Sequence, residues 1–202
     1  MTDKADDALV NLDLNAPIWD RFFTVAPLVV IGTRGKGGDY DFAPKHMVLP
    51  LGWDNYFGFV CTHHHQTYSN VRRERGFTVS FLRPDQVVLA SLSAAPRCEG
   101  DLKPALAALP TFPASQVAGA FLRDAYLFLE CRLDRLVDGF GINSLIAGQV
   151  VAACVQESAL RMTDRDDQDV LQETPLLTYL SPGRYAKVQH SFSFPFHAGF
   201  KR

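Results

Sequence analysis

The sequence predicts a mainly β fold, a β-barrel with added helices. Three observations carry that expectation. Short β-branched and aromatic runs bounded by turn formers recur at residues 27–33, 40–48, 55–61 and 77–82. The first two flank Gly35-Lys-Gly-Gly-Asp39, a turn that makes them a hairpin. Residues 84–121 are richer in Ala, Pro and short helical patches, so they interrupt the strand pattern and are expected to pack as helices outside the barrel.

Taken in order, residues 1–15 read as a flexible arm and 16–202 as a single domain. Residues 17–23 suit a short amphipathic helix with Pro17 in its first turn. After the third strand, residues 67–75 read as a helix ended by Gly76, whose freedom suits a C′ position. Strands resume at 125–137 and 144–155, followed by a polar, acidic excursion at 163–169. Strands at 176–180 and 183–188 precede an aromatic tail, Phe192-Ser-Phe-Pro-Phe196. No internal repeat is visible.

Hydrophobic residues make up 47% of the 202 and charged residues 21%, which suits a chain that buries a core. A net charge of −2 gives no reason to expect nucleic acid or an anionic membrane as partner. No apolar run is long enough to span a bilayer, and the polar, acidic start is unlike a secretory signal. Cys61, Cys98, Cys131 and Cys154 are widely and irregularly spaced. They read as reduced thiols, with Cys61, Cys131 and Cys154 as small hydrophobes in strands, and a cytoplasmic location is expected.

Several constellations invite a chemical reading. His63-His64-His65 suggests a metal, but neighbours on an extended segment point to opposite faces, and the helical H-E-x-x-H pattern is missing. No metal is expected; a turn presenting one or two imidazoles to an anion fits better. Gly32-Thr-Arg-Gly-Lys-Gly-Gly38 lacks the G-K-[ST] ending of a phosphate loop and precedes a strand, so it reads as a hairpin. Glu130 and Asp134 alternate on a strand and are expected to face solvent, not to form a glycosidase pair.

The most informative pairing is Tyr40-Asp-Phe-Ala-Pro-Lys-His46 with His65-Gln-Thr-Tyr-Ser-Asn-Val71. The first leaves a glycine-rich turn as a strand; the second opens a helix after another strand. A helix start offers unpaired backbone N–H groups to an anion, so the two together suit a phosphorylated planar cofactor.

At these residues the chain resembles the flavin reductase-like family of FMN-binding split barrels, over about residues 17–188. The family's N-x-A-P-x-S is echoed by Asp41-Phe-Ala-Pro-Lys-His46, and its K-D-T-x-x-N-[IV] by His65-Gln-Thr-Tyr-Ser-Asn-Val71. F-V-V-N is matched by Phe77-Thr-Val-Ser80, and L-E-C by Leu129-Glu-Cys131. G-D-H-x-x-x-x-G-x-V is matched loosely by residues 141–150, and the closing P-L-x-Y and G-x-Y by Pro175-Leu-Leu-Thr-Tyr179 and Gly183-Arg-Tyr185.

The resemblance implies an FMN site, with FAD as the other flavin. Its cofactor residues would be Ala43, Pro44, Lys45, His46, Cys61, Thr62, His65, Thr67 and Asn70, and no catalytic side chain is assigned. It also implies NADH or NADPH as electron donor, a homodimer with the flavin at the subunit interface, and a monooxygenase as the enzyme it feeds. The other functional class is an FMN-binding electron carrier or binding protein without nicotinamide turnover. Three positions depart from the family: His46 for a serine, His65 for a cation and Asn143 for a histidine. The last bears on the nicotinamide reaction more than on flavin binding. Histidine near the phosphate is expected to make affinity weaken as pH rises.

Overall fold

A computed structural model describes residues 9–98 and 103–199. The predicted arm therefore lies mostly outside the described residues; its remainder is exposed and irregular. The fold is mainly β, with a seven-stranded antiparallel sheet curled into a half-barrel.

That sheet is built from β2 (Val29–Arg34), β3 (Tyr40–Lys45), β4 (Val48–Pro50), β5 (Tyr56–Thr62), β6 (Gly76–Phe81), β9 (Leu127–Phe140) and β10 (Asn143–Val155). Its order is β3-β2-β6-β9-β10-β5-β4. The two edge strands, β3 and β4, are consecutive in the chain, separated only by His46 and Met47. The sheet must therefore curl until its edges approach, and Val60 N–H donates to the Met47 carbonyl at 2.9 Å to hold the junction. The helix α1 (Gln66–Glu74) packs against β2, β3, β5 and β6.

Two cores lie on opposite faces of β2. The barrel interior takes Val29, Ile31, Phe59, Phe77, Val79 and Ile146. The outer face takes Val30 with Phe42, Leu82, Leu109, Leu122 and Leu177. The outer layer is the expected insertion: α2 (Val87–Ser93), 3-10 turns at Pro84–Gln86 and Pro104–Ala108, and a hairpin of β7 (Thr111–Pro113) and β8 (Ala120–Leu122). Burial on both faces explains why β2 reads as a continuous apolar run instead of an alternating one.

The glycine turn predicted as a hairpin is one: Gly35 N–H donates to the Asp39 carbonyl at 2.7 Å, and Val29 to Arg34 pair with Lys45 to Tyr40. Other expectations need correction. The strand expected at 27–33 divides at Leu28. β1 (Thr24–Pro27) joins β11 (Leu176–Ser181) and β12 (Arg184–Val188) in a separate sheet, because Pro27 has no N–H for the main ladder. Residues 17–23 form only a turn, closed by Arg21 N–H on the Ile18 carbonyl. Trp19, Phe22 and Phe23 are exposed, so no buried face stabilises so short a helix. The acidic excursion ends in α3 (Asp167–Glu173), capped by the Asp166 carboxylate on Gln168 N–H. The β7–β8 hairpin was not expected; its three-residue strands pair only with each other.

Helix α1 ends at Arg75, which takes the left-handed conformation (φ 58°) assigned above to Gly76. Gly76 instead opens β6, where a Cβ would lie 3.0 Å from the Val117 side chain. Glu130 is buried, not solvent-facing, because the 115–117 loop covers its side of β9. Its carboxylate accepts from the N–H groups of Ser115, Gln116 and Val117 and from the Ser115 hydroxyl. Burial raises this carboxyl, but those donors outweigh it and leave the net shift downward. Asp134, two turns of the pleat away, is exposed and paired with Arg135. None of the four cysteines forms a disulfide; Cys61 and Cys131 are buried, but Cys154 is exposed near the end of β10, where the strand runs past the core.

Gly32 shows how tightly the outer layer sits. A Cβ there would lie 2.2 Å from the Ala120 carbonyl oxygen and 2.4 Å from Thr78 Oγ1. Gly32→Ala should lower unfolding stability by about 3 kcal/mol, read as a fall in urea midpoint. Gly37→Ala, where the nearest atom is 4.0 Å away, should leave the midpoint almost unchanged.

Candidate functional site

A cleft of about 600 Å³ lies between the edge strand β3 and the start of α1. On one side lie Ala43, Pro44 and Lys45 of β3; on the other lie His64, His65 and Thr67. Residues 93–97, after α2, and Lys103 close it from outside. Five of the nine predicted residues (Ala43, Pro44, Lys45, His65 and Thr67) thus meet around one space.

The start of α1 is open to that space. His65 is its N-cap, no side chain caps it, and its first turn holds no acidic residue. Tyr68 N–H reaches back to the His65 carbonyl at 3.0 Å, whereas the earliest N–H groups of any helix lack an intrahelical partner. A helix start in that condition carries positive potential and favours an anion.

Side-chain charge reinforces it. Lys45, Arg97 and Lys103 line the cleft with one carboxylate, Asp41. Arg97 Nη2 meets Asp41 Oδ1 at 2.7 Å, and Lys103 Nζ stands 3.9 Å from the same atom. Lys103 also donates to the carbonyls of Phe42, at 2.8 Å, and Ser93. Burial lowers its ammonium from the usual value, while Asp41 opposes the shift. Asp41 opens the β3 motif but was given no role from the sequence, and Arg97 and Lys103 carry no local motif; the insertion folds back to bring those two to Asp41.

The remaining predicted residues flank the cleft or lie beneath it. His46 stacks on Tyr179 of β11, with ring centroids 4.4 Å apart and planes at 33°. Thr62 Oγ1 donates to Asn143 Oδ1 at 3.1 Å, across the register that pairs β5 with β10. Cys61 is only 1% exposed and belongs to the barrel core, so its side chain is not presented to the cleft. Burial pushes its thiol up, with Lys45 opposing. Asn70 is fully buried: Nδ2 donates to Thr33 Oγ1 at 3.0 Å, and Oδ1 accepts from Arg73 Nη2 at 3.0 Å. Its amide ties α1 to β2, beside a neighbouring cleft of about 700 Å³.

The three histidines lie in the turn after β5 and do not follow strand alternation. His64 and His65 border the cleft, while His63 borders another space. Among the described residues no three His, Cys, Asp or Glu side chains converge as a metal site would require.

Burial lowers the imidazole of His46, with Lys45 adding to the effect. Burial likewise lowers His65, helped by Lys45, His64 and Lys103. Both rings therefore favour the neutral form.

The curled sheet and its seam are those of a split barrel, and the sequence agrees. The chain belongs to the flavin reductase like domain family, which matches residues 22–186. Solved structures share the fold. Nitrilotriacetate monooxygenase component B from Bacillus cereus is 17% identical, with 93% of this chain and 100% of that one covered at a TM-score of 0.78. Flavoredoxin from Methanosarcina acetivorans is 18% identical over 95% and 97%, at 0.76. The FMN-binding protein from Thermus thermophilus, with bound p-hydroxybenzaldehyde, is 22% identical over 92% and 99%, at 0.72. No curated protein matches by sequence. Among the described residues no helix is long and apolar enough to cross a membrane.

The lowered His46 has a consequence for stability. The unfolded chain binds a proton at the ordinary histidine value, about 6.5, and the folded chain only at lower pH. The unfolded state therefore holds more protons in that window, and stability should fall as pH drops through it. His46→Gln should shrink the fall in urea midpoint between about pH 7 and about pH 5.5. An unchanged slope would remove His46 from the titration.

Proposed function

We propose that the protein is an FMN-binding oxidoreductase that uses NADH or NADPH to reduce flavin. The observation that carries the flavin reading is the uncapped start of α1 facing a cleft lined by Lys45, Arg97 and Lys103. Thr67 and His65 would hold the phosphate with the first-turn N–H groups. Ala43, Pro44, Lys45 and His46 would border the ring system, and Thr62 and the Cys61 backbone would approach from β5. Asn70 would act by holding α1 in place. The donor set fits a phosphate: one paired carboxylate is outnumbered by cations, and backbone N–H groups converge with them.

When bound, FMN supplies the hydride-accepting chemistry. The chain's own residues orient it, neutralise its phosphate and screen one side of the cleft from water. Supporting the flavin reading, the Thermus thermophilus relative is named as FMN-binding. FAD uses the same phosphate chemistry and is the other flavin to test. The Bacillus cereus relative, a monooxygenase component, supports delivery of reduced flavin to a monooxygenase.

A homodimer is part of the reading. Trp53 is 90% exposed, and Phe140 and Ile142 at the β9–β10 turn are 58% and 60% exposed, apolar side chains of the kind a second subunit would cover. The flavoredoxin likeness favours a second reading, an electron carrier without nicotinamide turnover. Asn143 is the position that separates the two, because it stands on Thr62 at the edge of the site where the family has a histidine. The cytoplasm suits a protein of this kind, with its thiols kept reduced.

The purified protein should be yellow, or should quench added FMN fluorescence at micromolar levels. A colourless protein that leaves FMN fluorescence unchanged overturns the flavin reading. Thr67→Ala should weaken FMN by about ten- to a hundredfold, the cost of one hydrogen bond to a charged group. Riboflavin, lacking the phosphate, should be little affected; equal losses would move Thr67 away from the phosphate.

Turnover is tested separately. Hydride transfer needs donor and acceptor atoms held about 3–3.5 Å apart, so a changed clamp costs rate without costing flavin affinity. Slow NADH or NADPH oxidation is expected with FMN present, and Asn143→His should raise it while leaving the FMN Kd nearly unchanged. Tight FMN binding with no oxidation of either nucleotide selects the electron carrier.

A further inference from the structure

The wall between the cleft at the start of α1 and the neighbouring cleft of about 700 Å³ is an ion cluster: Asp41, Arg97 and Lys103 line both spaces. Its members are held unequally. Lys103 is fixed, with 9% of its side chain exposed and its ammonium donating to the carbonyls of Phe42 and Ser93. Arg97 comes from an irregular stretch after α2 and keeps 29% of its side chain exposed. Of the two cations it has more room to reorient.

Asp41 is 6% exposed on β3, where its pairing with Thr33 of β2 fixes the backbone. Its Oδ1 lies 2.7 Å from Arg97 Nη2 and 3.9 Å from Lys103 Nζ, yet it makes no hydrogen bond of good direction among the described residues. Charge, more than aimed hydrogen bonding, holds this pair together. A second anion that reaches the guanidinium weakens such a pair.

A phosphate at the start of α1 is that second anion. Thr67, in the first turn of α1, lines the same cleft as Asp41 and Arg97. Arg97 has two courses there. If it stays on Asp41, that carboxylate largely neutralises it. If it turns to the phosphate, Asp41 is left nearly buried with Lys103 at 3.9 Å, and a buried carboxylate short of partners is costly. Either way the phosphate gains less from Arg97 than it would without Asp41, and it meets a fixed charge of its own sign. The ring system and ribityl chain of a flavin carry no such charge and feel neither effect.

We propose that Asp41 sets how much the phosphate contributes to flavin binding: it competes with the phosphate for Arg97 and brings the affinity for FMN down toward that for riboflavin. The inference rests on the flavin reading above. A phosphate held against an internal rival leaves readily, as a flavin that carries electrons away has to.

The measurement is the ratio of the riboflavin Kd to the FMN Kd, read from flavin fluorescence. Asp41→Asn keeps an acceptor beside Lys103 and removes the charge. It should raise the ratio by about tenfold, through tighter FMN binding with riboflavin nearly unchanged. A carboxylate that only braced the insertion would, on replacement, weaken both flavins together and leave the ratio where it was; that result overturns the proposal. Arg97→Ala supplies the second arm. It should lower FMN affinity more in the Asp41→Asn protein than in the wild type, because only there has the competing charge been removed. Equal losses in the two backgrounds overturn Arg97 as the contested cation. Inorganic pyrophosphate, titrated calorimetrically, separates this inference from the flavin reading. If neither flavin binds but pyrophosphate binds more tightly to Asp41→Asn than to the wild type, the competition stands and the flavin reading falls. If pyrophosphate is also indifferent to the substitution, both fall.

Discussion

The placement of α1 across the seam of the curled sheet is the constraint on which the rest depends. Two consecutive strands form the sheet's opposite edges, so the sheet has to curl, and a helix leaving β5 lies over the resulting gap. A buried amide holds it there. Asn70 bridges Thr33 on β2 and Arg73 on α1, and Arg73 reaches on to the Arg34 carbonyl at 2.5 Å. An unpartnered amide in that position would be costly, so its bonds select one orientation of the helix. The orientation decides which N–H groups face Ala43 to Lys45, and hence where an anion can sit.

Charge in the cleft follows from the same geometry. Lys45 extends from β3, while Arg97 and Lys103 come from the insertion laid over the outer face of the sheet. Asp41 is buried on β3 and would be unfavourable as a lone charge; Arg97 and Lys103 compensate it and leave a cationic surplus toward the helix start. The insertion thus has two effects: it covers the second core on β2 and supplies cations to the site. Partial desolvation and the neighbouring cations disfavour the protonated forms of the histidines at 46 and 65.

Local pattern made much of this legible. The hairpin at Gly35, the helix after β5 and the strands at β5, β6, β11 and β12 were each announced by turn residues and period. Boundaries set by partners were not. Pro27 belongs to a different sheet from Val29, which only the pairing with β11 reveals. Glu130 looked solvent-facing by alternation, but a loop fourteen residues upstream covers that face, bonding through Gln116 N–H. Residues 17–23 carried an amphipathic pattern with nothing to pack against. In the site, motif residues on β3 and α1 were readable because they adjoin turns. Arg97 and Lys103 were not, nor was the part Asp41 plays with them, since their meeting is tertiary. Asn70 was readable as important but not in what it does; its hydrogen bonds run inward, to Thr33 and Arg73.

The β9–β10 turn joins the end of β5 to the fixed carboxylate of Asp138. Asn143 begins β10 in register with Thr62, the last residue of β5 before the histidine turn. Just beyond it, Ile142 accepts from His63 N–H at 3.4 Å, and Ser144 fixes Asp138. The same few residues therefore brace the edge of the cationic cleft and position a carboxylate beside the space that His63 borders. A change of register at this turn would move both, because a one-residue slip sends alternate side chains to the opposite face. Register shifts against β9 between Asn143 and Ser144, Ala147 and Gly148, and Val150 and Ala152 set that register locally. A substitution at Asn143, which begins β10 and accepts from Thr62, therefore acts on the junction of β5 with this turn.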